Sequence, residues 1–305
     1  MPDAYVFTAN GGPEVEALVD LPRPVPGPGQ LVVRVRASGV NPADVKRRRG
    51  LVPEATAGFP VLFGREVAGI VDGLGDGAVG FAVGDAGFGQ PAAGSFAEYA
   101  VIDADQAARK PDALSFTDAA TLPVAAATAY DGIEQLGLPA GSTLLVTGIG
   151  GGVGVAAAQI ARHRGLRVIG TASPGKRDLV TALGAVHVAY GPGVADRIRA
   201  AAPGGVDGIY DLVGGEALTG VAALSGDRSR LISAAARDQV TELGGSAVKR
   251  ARSRAVLDAV AALVVAGALD PRVTAVYPLR EAGRALRAVE EGHSAGKVVL
   301  EVGPA

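Results

Sequence analysis

Residues 143–172 read TLLVTGIGGGVGVAAAQIARHRGLRVIGTA. Leu144, Leu145 and Val146 form an unbroken apolar run, the pattern of a strand covered on both faces of a parallel sheet. Glycines follow at 148, 150, 151, 152 and 154, where the absence of a Cβ lets the backbone turn sharply and brings its amides close to a ligand. Val153, Ala156, Ala157, Ile160 and Ala161 then recur on one helical face, Gly165 marks the cap, and residues 167–172 supply a second strand. This βαβ unit sets free amides and the positive end of a helix dipole where a pyrophosphate would sit. Its glycine spacing, G-x-x-G-G-V-G, departs from the simpler G-x-G-x-x-G because Val153 holds the third glycine position.

The chain has 305 residues, room for two domains with cores of their own. A net charge of −2 and an isoelectric point near 6.0 offer no broad basic surface, so neither nucleic acid nor an anionic membrane is an expected partner. Arg47, Arg48 and Arg49 are the one dense basic cluster, and it is short. With no cysteine and only His163, His187 and His293 scattered apart, disulfides and thiolate metal sites are excluded and no metal ligands are assigned. The N-terminus lacks a basic region followed by an apolar core, and the expected location is cytoplasmic.

From residue 4 to about residue 104, short β-like runs (31–37, 67–72 and 96–102) alternate with glycine- and proline-rich turns, predicting an irregular β-rich domain. From residue 115 onward helices alternate with apolar strands. A helical segment at 115–136 is interrupted at Pro123. Helices are then predicted at 176–183, 216–224, 256–265 and 279–291, and strands at 186–189, 209–213, 231–234 and 297–302. The alternation predicts an α/β fold with a doubly wound parallel sheet of the Rossmann kind. Domains are expected at 1–118 with 277–305, the last strand returning to the first domain, and at 119–276.

In this architecture the end of the second strand faces the adenosine ribose. Here it reads Thr171, Ala172, Ser173, Pro174, Gly175, Lys176, Arg177, with no carboxylate before Asp178. A hydroxyl and two cations suit a 2′-phosphate, so NADP(H) is the expected cofactor.

Several segments resemble the medium-chain dehydrogenase/reductase superfamily, in particular its zinc-free quinone oxidoreductase and enone reductase branches. Asn41-Pro42-x-Asp44 with Arg48 and Gly50 is similar to N-P-x-D-x-x-x-R-x-G, and Gly64-x-Glu66-x-x-Gly69 to the segment that reads G-H-E in zinc alcohol dehydrogenases. Gly84-Asp85, the run GSFAEY at 94–99, the T-A-Y at 128–130, Asp211 to Gly215 and Gly296-Lys297 follow in the family's order. Arg65 stands where the zinc enzymes carry a histidine ligand, which removes a metal to activate an alkoxide.

The resemblance implies a GroES-like domain beside the dinucleotide domain, and NADPH-dependent reduction of a quinone or of the C=C bond of an α,β-unsaturated carbonyl. It places Asn41 and Thr128 beside the nicotinamide and residues 151–154 (Gly151, Gly152, Val153 and Gly154) under the pyrophosphate. Gly148 and Val213, on the flanking turns, complete the cofactor site. The resemblance places Ser173, Lys176 and Tyr190 around the adenosine 2′-phosphate, with Arg177 the second cation expected there; Tyr190 otherwise reads as a strand-end aromatic packed on the sheet.

Asn41 can donate from its amide or form a turn. Asp44 is a proton carrier or, preferably, an orienting partner for Arg48. Lys46 is similar to the lysine of plant-type alkenal reductases; it either stabilises an enolate or points to solvent. Residues 51–59 and 235–251 are the expected substrate-lining segments, and the cations between Arg237 and Arg254 would meet a coenzyme A or carrier-protein phosphate or form a solvated helix face. An enoyl-thioester reductase and a catalytically silent NADPH-binding sensor are the alternatives. The family further implies a homodimer, with residues 231–234 or the segment near Val273 at a sheet edge.

Overall fold

The computed structural model describes residues 1–52, 58–292 and 296–303. The chain divides into two compact units, Met1–Val124 with Arg252–Val265 and Arg272–Ala305, and Ala125–Ala251 with Ala266–Pro271.

The first unit opens with β1 (Asp3–Phe7), β2 (Glu16–Asp20), β3 (Gln30–Val40), α1 (Pro42–Arg48), β4 (Val61–Leu62), β5 (Val67–Leu74), β6 (Ala86–Pro91), β7 (Tyr99–Arg109) and the short α2 (Phe116–Ala119). Strand β3 organises it. One edge pairs antiparallel with β5; the other is divided between β7, opposite Gln30 to Arg34, and the last strand of the chain, opposite Ala37 to Val40. Since β5 also pairs with β6 and β6 with β7, these four strands close on one another, leaving few open edges. Phe7, Phe63, Phe96 and Ile102 fill the interior. The strand expected at 96–102 begins at Tyr99, because the amides of Ser95 and Phe96 turn to the Phe63 carbonyl instead of a ladder.

The second unit contains α3 (Ala127–Leu136), β8 (Thr143–Thr147), α4 (Gly152–His163), β9 (Arg167–Ala172), α5 (Arg177–Ala182), β10 (Val186–Ala189), α6 (Val194–Ala201), β11 (Gly208–Asp211), α7 (Gly215–Ala222), β12 (Leu231–Ser233), α8 (Arg237–Glu242) and β13 (Ser246–Ala247). Its six strands run parallel in the order β10-β9-β8-β11-β12-β13, the doubly wound Rossmann arrangement. Strand β8 is buried at every position, as the unbroken apolar run requires. A π-helical turn at Leu122–Ala126 leads into α3, where Pro123 removes a helical donor.

The chain then returns to the first unit with α9 (Arg254–Val265), β14 (Val273–Pro278), α10 (Ala282–Glu290) and β15 (Lys297–Glu301). Strand β15 pairs with β3, and β14 pairs parallel with β15 at the edge of the sheet. The division therefore differs from the expected boundaries in residues 119–124, in α9 and in the start of β14. Arg254 explains the middle difference: it donates to the carbonyls of Ala104, Ala107 and Val79 and stands over the Phe81 ring, all within the first unit. Residues 231–234 are not at an edge, since β13 covers β12; Val273 is, but in the GroES-like unit.

Candidate active site

In the dinucleotide unit the expected cofactor residues gather at the carboxyl ends of adjacent parallel strands. Gly148 follows β8, Ser173 follows β9, Tyr190 follows β10 and Val213 follows β11. The winding direction reverses between β8 and β11, the place where open parallel sheets form a ligand crevice. Gly148 has φ +68°, a left-handed conformation that turns the chain out of β8. Gly151 caps α4 without a side-chain bond, so the first amides of this 12-residue helix have no acceptor within it. A Cβ at Gly154 would stand 2.5 Å from the Ile149 Cα, whereas one at Gly151 would meet only the Gly148 carbonyl, at 3.6 Å. The turn is thus tight underneath and open above, the form of a cradle for an anionic pyrophosphate.

Asp211 braces the crevice. Its buried carboxylate accepts from Thr147 Oγ1 at 2.6 Å, Ser233 Oγ at 2.6 Å and the Val213 and Gly214 amides, joining the ends of β8, β11 and β12. Val213 is 54% exposed above it and Tyr190 63% exposed. Lys176 donates to the Gly150 carbonyl at 3.0 Å, and burial lowers its pKa. Arg177 is exposed and Ser173 half-buried. Thr128 is buried in α3, where its carbonyl accepts from Tyr210 Oη at 2.6 Å.

In the GroES-like unit the expected reactive residues lie on and around α1. Asn41 caps this helix through its backbone: its amide donates to Asp44 Oδ2 at 2.9 Å, and its carbonyl accepts from the Asp44 amide at 2.9 Å. Asp44 also accepts from the Gly64 amide at 3.3 Å, and burial pushes its pKa up to about 6. It does not orient Arg48, whose buried guanidinium instead joins Glu16, Glu290 and the Gly11 carbonyl. Lys46 is exposed on α1.

Sequence reasoning did not foresee the partners of Asn41. Its Nδ2 donates to Glu66 Oε1 at 2.9 Å and approaches the Gly39 carbonyl at 3.4 Å; its Oδ1 accepts from Lys297 Nζ at 2.8 Å. Lys297 also bonds Glu66 Oε1, at 2.6 Å, and the other Glu66 oxygen accepts from the Val124 amide. The sequence signs were the Gly64-x-Glu66 and Gly296-Lys297 motifs, neither of which points to Asn41. Of the expected substrate-lining segments, residues 53–57 lie outside the described residues. In the other, α8 and β13 carry residues 237–242 and 246–247. Among the described residues, no three His, Cys, Asp or Glu side chains assemble as a metal-binding group. No helix among them is long and apolar enough to cross a membrane.

Two family models match: an alcohol dehydrogenase GroES-like domain over residues 27–112 and a zinc-binding dehydrogenase domain over 183–300. A quinone oxidoreductase from Coxiella burnetii superposes with a TM-score of 0.91 at 29% identity, covering 99% of each chain. A mycobacterial protein, Rv1454c, solved in complex with NADPH, gives 0.88 at 30% identity over 99% of this chain and 100% of that one. The synaptic vesicle membrane protein VAT-1 homolog of Mus musculus is 30% identical over 98% of this chain and 83% of its own length. The spectinabilin polyketide synthase system protein NorB of Streptomyces orinoci is 36% identical over 97% of this chain, which spans 14% of that protein's length.

The chain belongs to the medium-chain dehydrogenase/reductase superfamily. It is an oxidoreductase-family protein with a GroES-like domain and a Rossmann-like NAD(P)-binding sheet, and its structural neighbours include quinone oxidoreductases.

Proposed function

We propose that this chain is an NADPH-dependent, zinc-independent reductase of quinones or of the C=C bond of α,β-unsaturated carbonyls. The observation that carries the assignment is the set Ser173, Lys176 and Arg177 at the carboxyl end of β9, beside a glycine turn shaped for a pyrophosphate and with no carboxylate before Asp178. The solved complex of Rv1454c with NADPH supports it.

NADPH supplies the hydride when bound. The chain's own residues hold and polarise. The α4 amides and the glycine turn bind the pyrophosphate, and the cations after β9 neutralise the 2′-phosphate. An alkene conjugated to a carbonyl is already polarised, so hydride adds to its β-carbon and a proton to its α-carbon without a metal. Asn41 spends its amide hydrogens inside the protein, so the charge developing on the carbonyl oxygen falls to the exposed Lys46. Residues 53–57, outside the described residues, remain part of the proposed substrate-lining segment 51–59.

A second reading, reduction of an enoyl thioester, is favoured by the similarity to polyketide synthase proteins. The test is loss of NADPH absorbance with a panel of quinones, enones and 2-enoyl thioesters. Turnover of quinones or enones supports the first reading and turnover of thioesters alone the second. NADPH binding with no oxidation by any of them would mark a silent sensor.

A further inference from the structure

Lys297 opens β15 with 5% of its surface exposed, and Glu66 is completely buried. An ammonium taken out of water is tolerated when it is paired and hydrogen-bonded. Here its two bonds go to Glu66 Oε1 and Asn41 Oδ1, while Asn41 Nδ2 donates to the same Glu66 oxygen. Three side chains from three segments thus form a closed ring: ammonium to amide oxygen, amide nitrogen to carboxylate, carboxylate to ammonium.

Such a ring admits one orientation of the amide. Turning the Asn41 group over would set its nitrogen against the ammonium and its oxygen against the carboxylate, replacing two hydrogen bonds by two repulsions. Glu66 cannot easily shift to accommodate this. Its second oxygen accepts from Val124, its carbonyl accepts from the hydroxyls of Ser38 and Ser95, and a Cβ at Gly39 would collide with Oε1.

We infer that Lys297 is a positioning residue for Asn41, locking the amide so that both its hydrogens stay inside the protein and the second lone pair of Oδ1 is the group's remaining capacity to bind a ligand. Asn41 then takes a donor, such as a carboxamide N–H, and does not bind a substrate carbonyl. The inference deepens the proposed reaction and rests on it only for the consequence in catalysis.

The test uses the full chain labelled with nitrogen-15, the Asn41 side-chain signals being assigned from their loss in Asn41→Ser. In the wild type these two amide hydrogens give separate, exchange-protected signals. In Lys297→Met they shift and lose protection, while Lys297→Arg, which can still bridge both oxygens, keeps them. With whichever substrate of the panel is turned over, Lys297→Met lowers kcat by roughly 10- to 100-fold, with little change in NADPH affinity, as expected of a group misplaced by about an ångström. Lys297→Arg restores most of it.

Unchanged Asn41 signals in Lys297→Met, or an unchanged kcat, would overturn the inference. Where Lys297→Met does not fold because Glu66 is left uncompensated, Glu66→Gln with Lys297→Met is read in its place: release of the Asn41 amide supports the lock, and retention of the wild-type signals overturns it. If the wild type turns over nothing in the panel, the proposed reaction fails by itself, and the amide spectra still decide the positioning.

Discussion

Lys176 Nζ donates to the Gly150 carbonyl at 3.0 Å, and its stem packs so close that a Cβ on Gly150 would stand 2.5 Å from Lys176 Cδ. The lysine expected to select NADPH is therefore also a strut of the glycine turn. Arg177 is exposed at the start of α5, outside that turn. Arg177→Ala is expected to narrow the ratio of NADH to NADPH dissociation constants by roughly tenfold, the worth of one charge-assisted bond in partial solvent. Lys176→Ala is expected to weaken both cofactors, because the turn loses its brace. Fluorescence titration of each variant measures both; a wild-type preference for NADH would refute the NADPH assignment.

Two glycines of the turn are expected to behave oppositely. Ala at 154 would place a methyl 2.5 Å from the Ile149 Cα and 2.6 Å from the Gly148 carbonyl, backbone atoms that cannot rotate away. Gly154→Ala should destabilise its unit by about 1–3 kcal/mol or more. Gly151→Ala meets nothing closer than 3.6 Å, so thermal unfolding should hardly change while NADPH affinity falls. Equal affinities for NADPH in wild type and Gly151→Ala would separate this turn from the pyrophosphate.

Asp44 carries a pH dependence of stability. Burial raises its pKa to about 6 from an ordinary 3.8, so the folded state holds the proton more tightly than the unfolded one. Its contribution is complete below the ordinary value and is lost as pH rises through about 6. Asp44→Asn does not titrate. The destabilisation it causes should therefore shrink by roughly 1–3 kcal/mol between about pH 4 and pH 7. Urea denaturation of both proteins at several pH values checks this; a difference independent of pH would show that Asp44 does not titrate in that window.

Arg254 was grouped by sequence with the cations that would meet a substrate phosphate. Its guanidinium is engaged by the Ala104, Ala107 and Val79 carbonyls. Arg254→Met should cost about 2–4 kcal/mol of stability, leaving the carbonyls of the buried residues Ala104 and Ala107 without this donor. Calorimetry of the variant measures it, and coenzyme A thioesters should bind it as they bind the wild type.

Much of the dinucleotide unit was legible because its signals are local. A parallel strand needs an unbroken apolar run, its turn needs glycine and its helix needs a repeating face, and residues 143–172 carry all three in order. Several of the expected cofactor residues could be placed at strand ends for the same reason: Gly148, Ser173 and Tyr190 directly follow β8, β9 and β10. Legibility ended where contacts join distant segments. Nothing near Arg48 in sequence announces Glu290, and nothing near residue 254 shows that this arginine binds carbonyls of β7 and of the turn before β6.

The sequence by itself determined the order of strands and helices, the glycine cradle and the missing cysteine ligands, because apolar periodicity, backbone freedom and ligand chemistry are properties of neighbouring residues or of composition. The tertiary structure alone decided what Asn41 can offer a ligand. That depends on which buried charges stand against its amide, and Glu66 and Lys297 reach it from β5's approach and from the far end of the chain, brought together because β3 pairs with both β5 and β15.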